Sequence, residues 1–311
     1  MNDNTEHDNH LSAASKTILS SWYGLTGLGA IIGNGVVLWL FTRKRSLRSI
    51  SNSFLSSLAA ADLLVGFVIL PVWISIRYTA YNVDRVQTYG KAIDILWIHT
   101  TVATTFNLCC VTLDRHIAIF HPLRYEDILT FPRCYVLIAT VWFLSLVLPC
   151  SRFLVEDEKG LSTLYISFTI ITVLIPMIII ILCSSRILKA ASVQCSQMSV
   201  HAVQNQDAVK RRKKNLKASK TISIVIGLFV VCWLPSLITS LVHHLSGKFT
   251  FTKLWAPVEA VAFTSSAINP WVYCLRNEEF NEALTRTFRF LKRQNSEQNG
   301  FHRSVESSTI S

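Results

Sequence analysis

The sequence predicts an all-α membrane protein, a seven-transmembrane helix bundle with an amphipathic eighth helix on the membrane surface. Three observations carry this. The 311 residues are 50% hydrophobic and only 16% charged, with a mean hydropathy of +0.38, whereas a soluble domain carries about a quarter charged residues. Seven apolar runs stand out, near Trp22–Phe41, Ser53–Ile76, Ile93–Ile117, Tyr135–Phe153, Leu161–Cys183, Thr221–His243 and Leu254–Leu275. Each suffices for a bilayer crossing of roughly 20 residues, and none alternates as a membrane β-strand does. The basic residues behind the net charge of +11 cluster in the gaps between runs, which favours membrane orientation over nucleic-acid binding.

Taken in order, residues 1–19 form a polar tail, acidic at Asp3, Glu6 and Asp8, without the features of a cleavable signal peptide. The bundle follows over 20–276. Arg43, Lys44, Arg45 and Arg48 fill the first gap, Arg115, Arg124 and Arg133 follow run three, and Lys210 to Lys214 lie between runs five and six. The gaps at about 77–91, 154–160 and 244–253 are short and mixed in charge. The basic connections therefore belong in the cytoplasm, with the N-terminus outside and the C-terminus inside. Residues 277–292 carry Phe280, Leu284, Phe288 and Leu291 at helical spacing, an amphipathic helix for the inner leaflet. The tail, 293–311, is serine-rich and predicted to be disordered. The eight cysteines read as small core hydrophobes, not as a disulfide framework.

Polar residues inside the runs are costly in lipid and mark function. Asp62 lies mid-run, and Asn34, Thr104, Ser265, Ser266 and Asn269 could surround it as an oxygen-rich site able to hold a sodium ion. Asp114, Arg115 and His116 end run three. Pro176, Pro235 and Pro270 each break a helical hydrogen bond, with Trp233 beside the second kink and Tyr273 one turn beyond Asn269. Three proline-bearing helices beside an arginine-ended helix suggest a bundle that changes shape at its cytoplasmic end.

Gly33-Asn34, Asp62, Asp114-Arg115-His116, Trp142, Pro176, Cys232-Trp233-Leu234-Pro235 and Asn269-Pro270-Trp271-Val272-Tyr273 supply one landmark per helix. Together they resemble the rhodopsin-like (class A) G-protein-coupled receptors over about residues 20–291. The resemblance implies a plasma-membrane receptor with an outer ligand pocket and a heterotrimeric G-protein partner. It implies that Arg115 meets the G protein when helix six swings outward, and that Asp62 and Asn269 form a sodium-linked relay. Trp233 and Phe229 would transmit the ligand's effect, packed on Pro176 and Thr105. The Ser/Thr tail implies receptor kinase and arrestin as further partners. No cofactor is implied beyond the sodium ion.

The chain also departs from that family. Gly90 stands where most relatives carry a cysteine at the outer start of helix three, so the usual extracellular disulfide is absent. This and the short loop near 154–160 resemble the melanocortin, cannabinoid and lysophospholipid branches, but Pro176 does not. Ser184 replaces the tyrosine expected below Pro176. Asn215 replaces a glutamate that often pairs with the residue at Arg115, which predicts a weak resting lock.

For the ligand, the pocket candidates are Asp94, Trp97, Ile98 and Thr101 on helix three and Phe168 and Thr172 on helix five. Trp233, Ser236, Leu237, Ser240 and His243 on helix six and Glu259 and Phe263 on helix seven complete the set. Trp97 occupies the aspartate position of the amine receptors. Asp94 and Glu259 could hold a cationic small molecule or peptide, with Trp97 as a cation–π face. Alternatively Asp94 is a solvated loop-edge charge and Glu259 pairs with Lys91 or Lys253. Phe263 replaces the retinal-binding lysine of an opsin.

A transporter is the alternative class, but paired repeats and discontinuous helices are not evident. A membrane enzyme is disfavoured because Asp114, Arg115 and His116 are consecutive, so their side chains fan out from the helix.

Overall fold

The computed structural model describes residues 12–79, 83–198, 206–246, 252–276, 280–287 and 289. Seven long helices account for most of them. The first, Ala13–Arg43, begins before the first apolar run because Ser12 caps it, its side chain accepting from the Ser15 amide. The second runs Ile50–Leu64, capped by Ser49, then Val65–Ile69 as a π-helical stretch and Leu70–Thr79. The third, Val83–Phe120, is 38 residues long. The fourth, Phe131–Val147, ends in a 3₁₀ stretch, Leu148–Leu154. The fifth comprises Glu158–Phe168, a π-helical Thr169–Leu174 and Ile175–Met198. The sixth is Gln206–Ser246, with Pro235 inside it, and the seventh Thr252–Arg276, with Pro257 and Pro270.

Most of these helices overrun the apolar runs. Hydropathy locates only the lipid-immersed stretch, and polar turns such as Val83–Lys91 satisfy their own backbone and continue the helix beyond it. The two π-helical stretches were not expected. Each lies just before a proline, Pro71 or Pro176, where a missing amide interrupts the ladder and an extra residue is accommodated in a wide turn.

The third helix is central and packs against the second, fourth, fifth and sixth, while the seventh closes the ring between the first and the sixth. Among the described residues, six helices are long and apolar enough to cross a membrane. The seventh carries Glu259, Asn269 and two prolines and is not among them, but its packing against the first, second and sixth makes it a bundle member. Leu25, Leu28, Phe143, Leu146, Ile178 and Val231 are exposed, as side chains facing hydrocarbon are. Residues 280–287 are helical, with Phe280 and Ala283 buried against the bundle and Glu282 and Arg286 outside. Phe288, Leu291 and the tail beyond lie outside the described residues, as do the first eleven.

At Gly33 the first helix packs directly on the seventh: a Cβ built there would overlap the Pro270 ring, whereas one at Gly35 meets nothing. Gly33→Ala should therefore cost about 1–3 kcal/mol by overpacking and lower the thermal unfolding midpoint of the detergent-extracted protein. Gly35→Ala should leave the midpoint unchanged or slightly raised.

Candidate functional site

At the end of the third helix, Arg115 Nε and Nη2 donate to Asp114 Oδ2 at 2.8 and 2.5 Å. Asp114 is 1% exposed, and an adjacent pair alone would leave it under-satisfied. Two further donors complete it. Tyr125 Oη, on the short helix Tyr125–Ile128 of the following loop, donates to Asp114 Oδ1 at 2.6 Å, and Ser51 Oγ donates to the same atom at 3.2 Å. Arg115 Nη2 also donates to Ser51 Oγ. Burial, and then the Asp114 charge, hold the Tyr125 phenol above the usual tyrosine range, so it remains a donor. His116 is not part of this network; its ring lies 4.5 Å from that of Phe120. Asn215 has its side chain outside the described set, so the resting brace visible on the pair comes from the second helix and the loop.

Asp62 is fully buried. Ser266 Oγ donates to its Oδ1 at 2.7 Å and Asn269 Nδ2 to its Oδ2 at 2.9 Å. Asn34 Nδ2 donates to the Ser266 carbonyl at 2.9 Å, joining the first helix to the same cluster. Thr104 is buried but makes no bond to Asp62, and Thr104 Oγ1, Asn34 Oδ1 and Asn269 Oδ1 have no partner among the described residues. Ser265 accepts from Trp233 Nε1 at 3.3 Å. Pro270 is buried one residue on, and the Tyr273 side chain lies outside the described set.

Trp233 belongs to a continuous stack of rings. Phe229 lies 5.5 Å from it and Trp97 5.7 Å from it. Trp97 in turn meets Phe263 at 5.5 Å and Trp73 at 6.3 Å. Pro176 and Thr105 are buried, while Pro235, beside Trp233, is half-buried.

Above this stack opens a cavity of about 330 Å³, with walls that include Asp94, Trp97, Ile98, Thr101, Phe168, Thr172, Ser240 and Glu259. Trp233, Ser236, Leu237 and Phe263 are buried and are not among its lining residues, Trp233 and Phe263 being packed on Trp97 at its floor. Trp73, Tyr165, His243 and Trp255 also line it. Of these only His243 was suggested by the sequence, and the others were unmarked aromatics in or beside apolar runs. Glu259 is 4% exposed and accepts from Trp73 Nε1 at 3.0 Å. Asp94 is not the solvated loop-edge charge of the alternative reading: Arg152 Nε donates to it at 2.8 Å. Lys91 pairs with Glu156 at 3.9 Å, and Lys253 has its side chain outside the described set. His99 is an interhelical residue, its Nδ1 2.9 Å from the Ser145 carbonyl.

Residues 33–273 match the family model described as "7 transmembrane receptor (rhodopsin family)". The chain belongs to the rhodopsin family of seven-transmembrane receptors. It is 28% identical to the adenosine receptor A2a of Canis lupus familiaris, the match covering 87% of this chain and 73% of that one. It is 26% identical to the 5-hydroxytryptamine receptor 1D of Cavia porcellus, over 92% of each chain. It is also 28% identical to the QRFP-like peptide receptor of Branchiostoma floridae, over 88% and 77%. The protein is thus a multi-pass membrane receptor coupled to G proteins, not an enzyme, and the transporter alternative has no support.

In a receptor of this family, the Tyr125 bond should restrain activation, since a hydrogen bond to a buried charge contributes about 1.5–3 kcal/mol. Tyr125→Phe should raise ligand-free GTPγS binding by reconstituted G protein severalfold over the wild type. Unchanged basal exchange would show that the bond does not hold the resting state.

Proposed function

We propose that the outer cavity binds a small extracellular ligand bearing a positive charge, and that Arg115 engages the G protein when the sixth helix pivots at Pro235. The observation that carries this is the continuity of the stack: Trp97, a cavity wall, packs on Trp233, which bonds Ser265 beside the Asp62 cluster. A ligand that displaces Trp97 thereby acts on the sixth and seventh helices together. Relatives named for adenosine, 5-hydroxytryptamine and a peptide differ in ligand charge, so the charge preference rests on this chain's own cavity. There the buried carboxylate of Glu259 sits beside Trp73 with Trp97 and Trp255 nearby, a setting for an ammonium group. Asp94 is engaged by Arg152 and is the lesser anchor.

The proposed placement is the plasma membrane, with 1–19 outside, the bundle over 20–276, the amphipathic helix over 277–292 along the inner leaflet and the Ser/Thr-bearing tail 293–311 presented to receptor kinase and arrestin. The positive-inside pattern supports this orientation.

The test is a cell-based G-protein activation assay with a panel of amines, basic peptides, lipids and nucleosides. An amine or basic-peptide response should fall at least tenfold in potency in Glu259→Gln, fall less in Asp94→Asn, and disappear in Arg115→Ala. A response to a neutral ligand, indifferent to Glu259→Gln, would keep the receptor and overturn the cationic ligand.

We further propose that Asp62, with the unpartnered oxygens of Asn34, Thr104 and Asn269, binds sodium. Replacing choline chloride by sodium chloride should lower agonist affinity severalfold in the wild type and have no effect in Asp62→Asn. Equal sodium sensitivity in both would exclude the site.

A further inference from the structure

The outer end of the bundle holds an ion pair that the coupling route does not use. Arg152, in the 3₁₀ stretch ending the fourth helix, is 8% exposed. Its Nε donates to Asp94 Oδ2 on the third helix at 2.8 Å, and its Nη1 donates to the Val155 carbonyl at 2.9 Å. Tyr165, on the fifth helix, is hydrogen-bonded to both Asp94 and Arg152. One guanidinium fork thus joins three helices and sets the course of the chain between the fourth and the fifth. Lys91 and Glu156, exposed and 3.9 Å apart, span the same two segments more weakly.

No cysteine is available for this task. Position 90 is Gly90 and residues 154–160 contain none, while Cys150, the cysteine nearest this end, is free and exposed. The Arg152–Asp94 contact joins residues 58 apart in the chain, so in the folded receptor it holds the end of the fourth helix against the third. The geometry suits arginine in particular, because its planar fork serves a carboxylate and a carbonyl at once, which a lysine ammonium on a flexible stem does less well.

We propose that the Arg152–Asp94–Tyr165 cluster is a non-covalent tether that fixes the outer ends of the third, fourth and fifth helices around the cavity, and that this end of the receptor therefore assembles independently of thiol oxidation. Arg152 acts here as a positioning residue: it is not among the residues lining the cavity, but it holds Asp94, which is.

The experiment compares the full-length wild type with Asp94→Asn, Arg152→Gln, Arg152→Lys and the exchanged double variant Asp94→Arg/Arg152→Asp, each purified in detergent micelles. Two quantities are read: the thermal unfolding midpoint with and without dithiothreitol, and amide hydrogen exchange over 153–161. Removing one partner leaves the buried Arg152 or the part-buried Asp94 without its counter-charge, so Asp94→Asn and Arg152→Gln should each lower the midpoint by roughly 5 °C or more and raise exchange severalfold. Arg152→Lys should fall between these and the wild type. The exchanged pair should recover at least half of the loss, which a general packing role for the two side chains would not produce. Dithiothreitol should leave the wild-type midpoint unchanged. Unaltered exchange in the single variants, an exchanged pair no better than the sum of its parts, or a midpoint lowered by dithiothreitol would each overturn the proposal. Should the single variants not yield folded receptor, the yield of monodisperse protein from the exchanged pair decides: recovery supports the tether and failure overturns it.

Discussion

In a bilayer no water is at hand to satisfy a buried carboxylate, so each one must find its donors within the protein. Four carboxylates meet this demand at four levels of the receptor. Asp94 takes Arg152 and Tyr165, and Glu259 takes the Trp73 indole. Asp62 takes Ser266 and Asn269, and Asp114 takes Arg115, Ser51 and Tyr125. At every level at least one donor comes from a different helix or loop. The apolar contacts between helices are little better than contacts with lipid tails, so they choose between packings weakly. The acids supply the discrimination, because a wrong helix pairing would strand a charge.

This explains how much of the architecture could be read from residues alone. Asp62 and Asn269 were assignable because a mid-run acid must have a polar partner and few polar residues exist at that depth. The Asp114–Arg115 pair was likewise visible in one line of sequence. Ser51 and Tyr125 were not, because their role depends on the loop after Pro122 folding back beneath the second helix. Arg152 was hidden for another reason: an arginine at the end of an apolar run looks like a boundary residue, and only the 3₁₀ ending of the fourth helix turns it inward. Trp73, Tyr165 and Trp255 were invisible as cavity residues because an aromatic in an apolar run fits lipid, core or pocket equally well. Whether the Asp62 neighbourhood carries sodium was not legible, since the same oxygens serve a hydrated ion or a hydrogen-bonded cluster.

On the proposed coupling route, communication between the levels runs through shape instead of charge. Trp97, Phe263, Trp233 and Phe229 are large, buried or half-buried rings in mutual contact, and close-packed interiors transmit displacement because they have no void to absorb it. The breaks in the ladder fall next to this column. Pro235 follows Trp233 by two residues, and the π-helical stretch Thr169–Leu174 faces the cavity through Thr172 and precedes Pro176. Rigid rings beside interrupted backbone give displacement a direction, since the helix yields at its missing hydrogen bonds first.

The two ends of the third helix differ in how easily their pairs can be exchanged. At the cavity end, Asp94 and Arg152 are 58 residues apart in the chain and on different helices, so separating them moves a helix and strands both charges. At the opposite end, Asp114 and Arg115 are neighbours on one helix, and the partners contributed from elsewhere are neutral hydroxyls, Ser51 and Tyr125. Releasing a hydroxyl costs less than stranding a charge. The same third helix is thus anchored by charge beside the cavity and braced by neutral groups where, on the proposed function, the G protein enters.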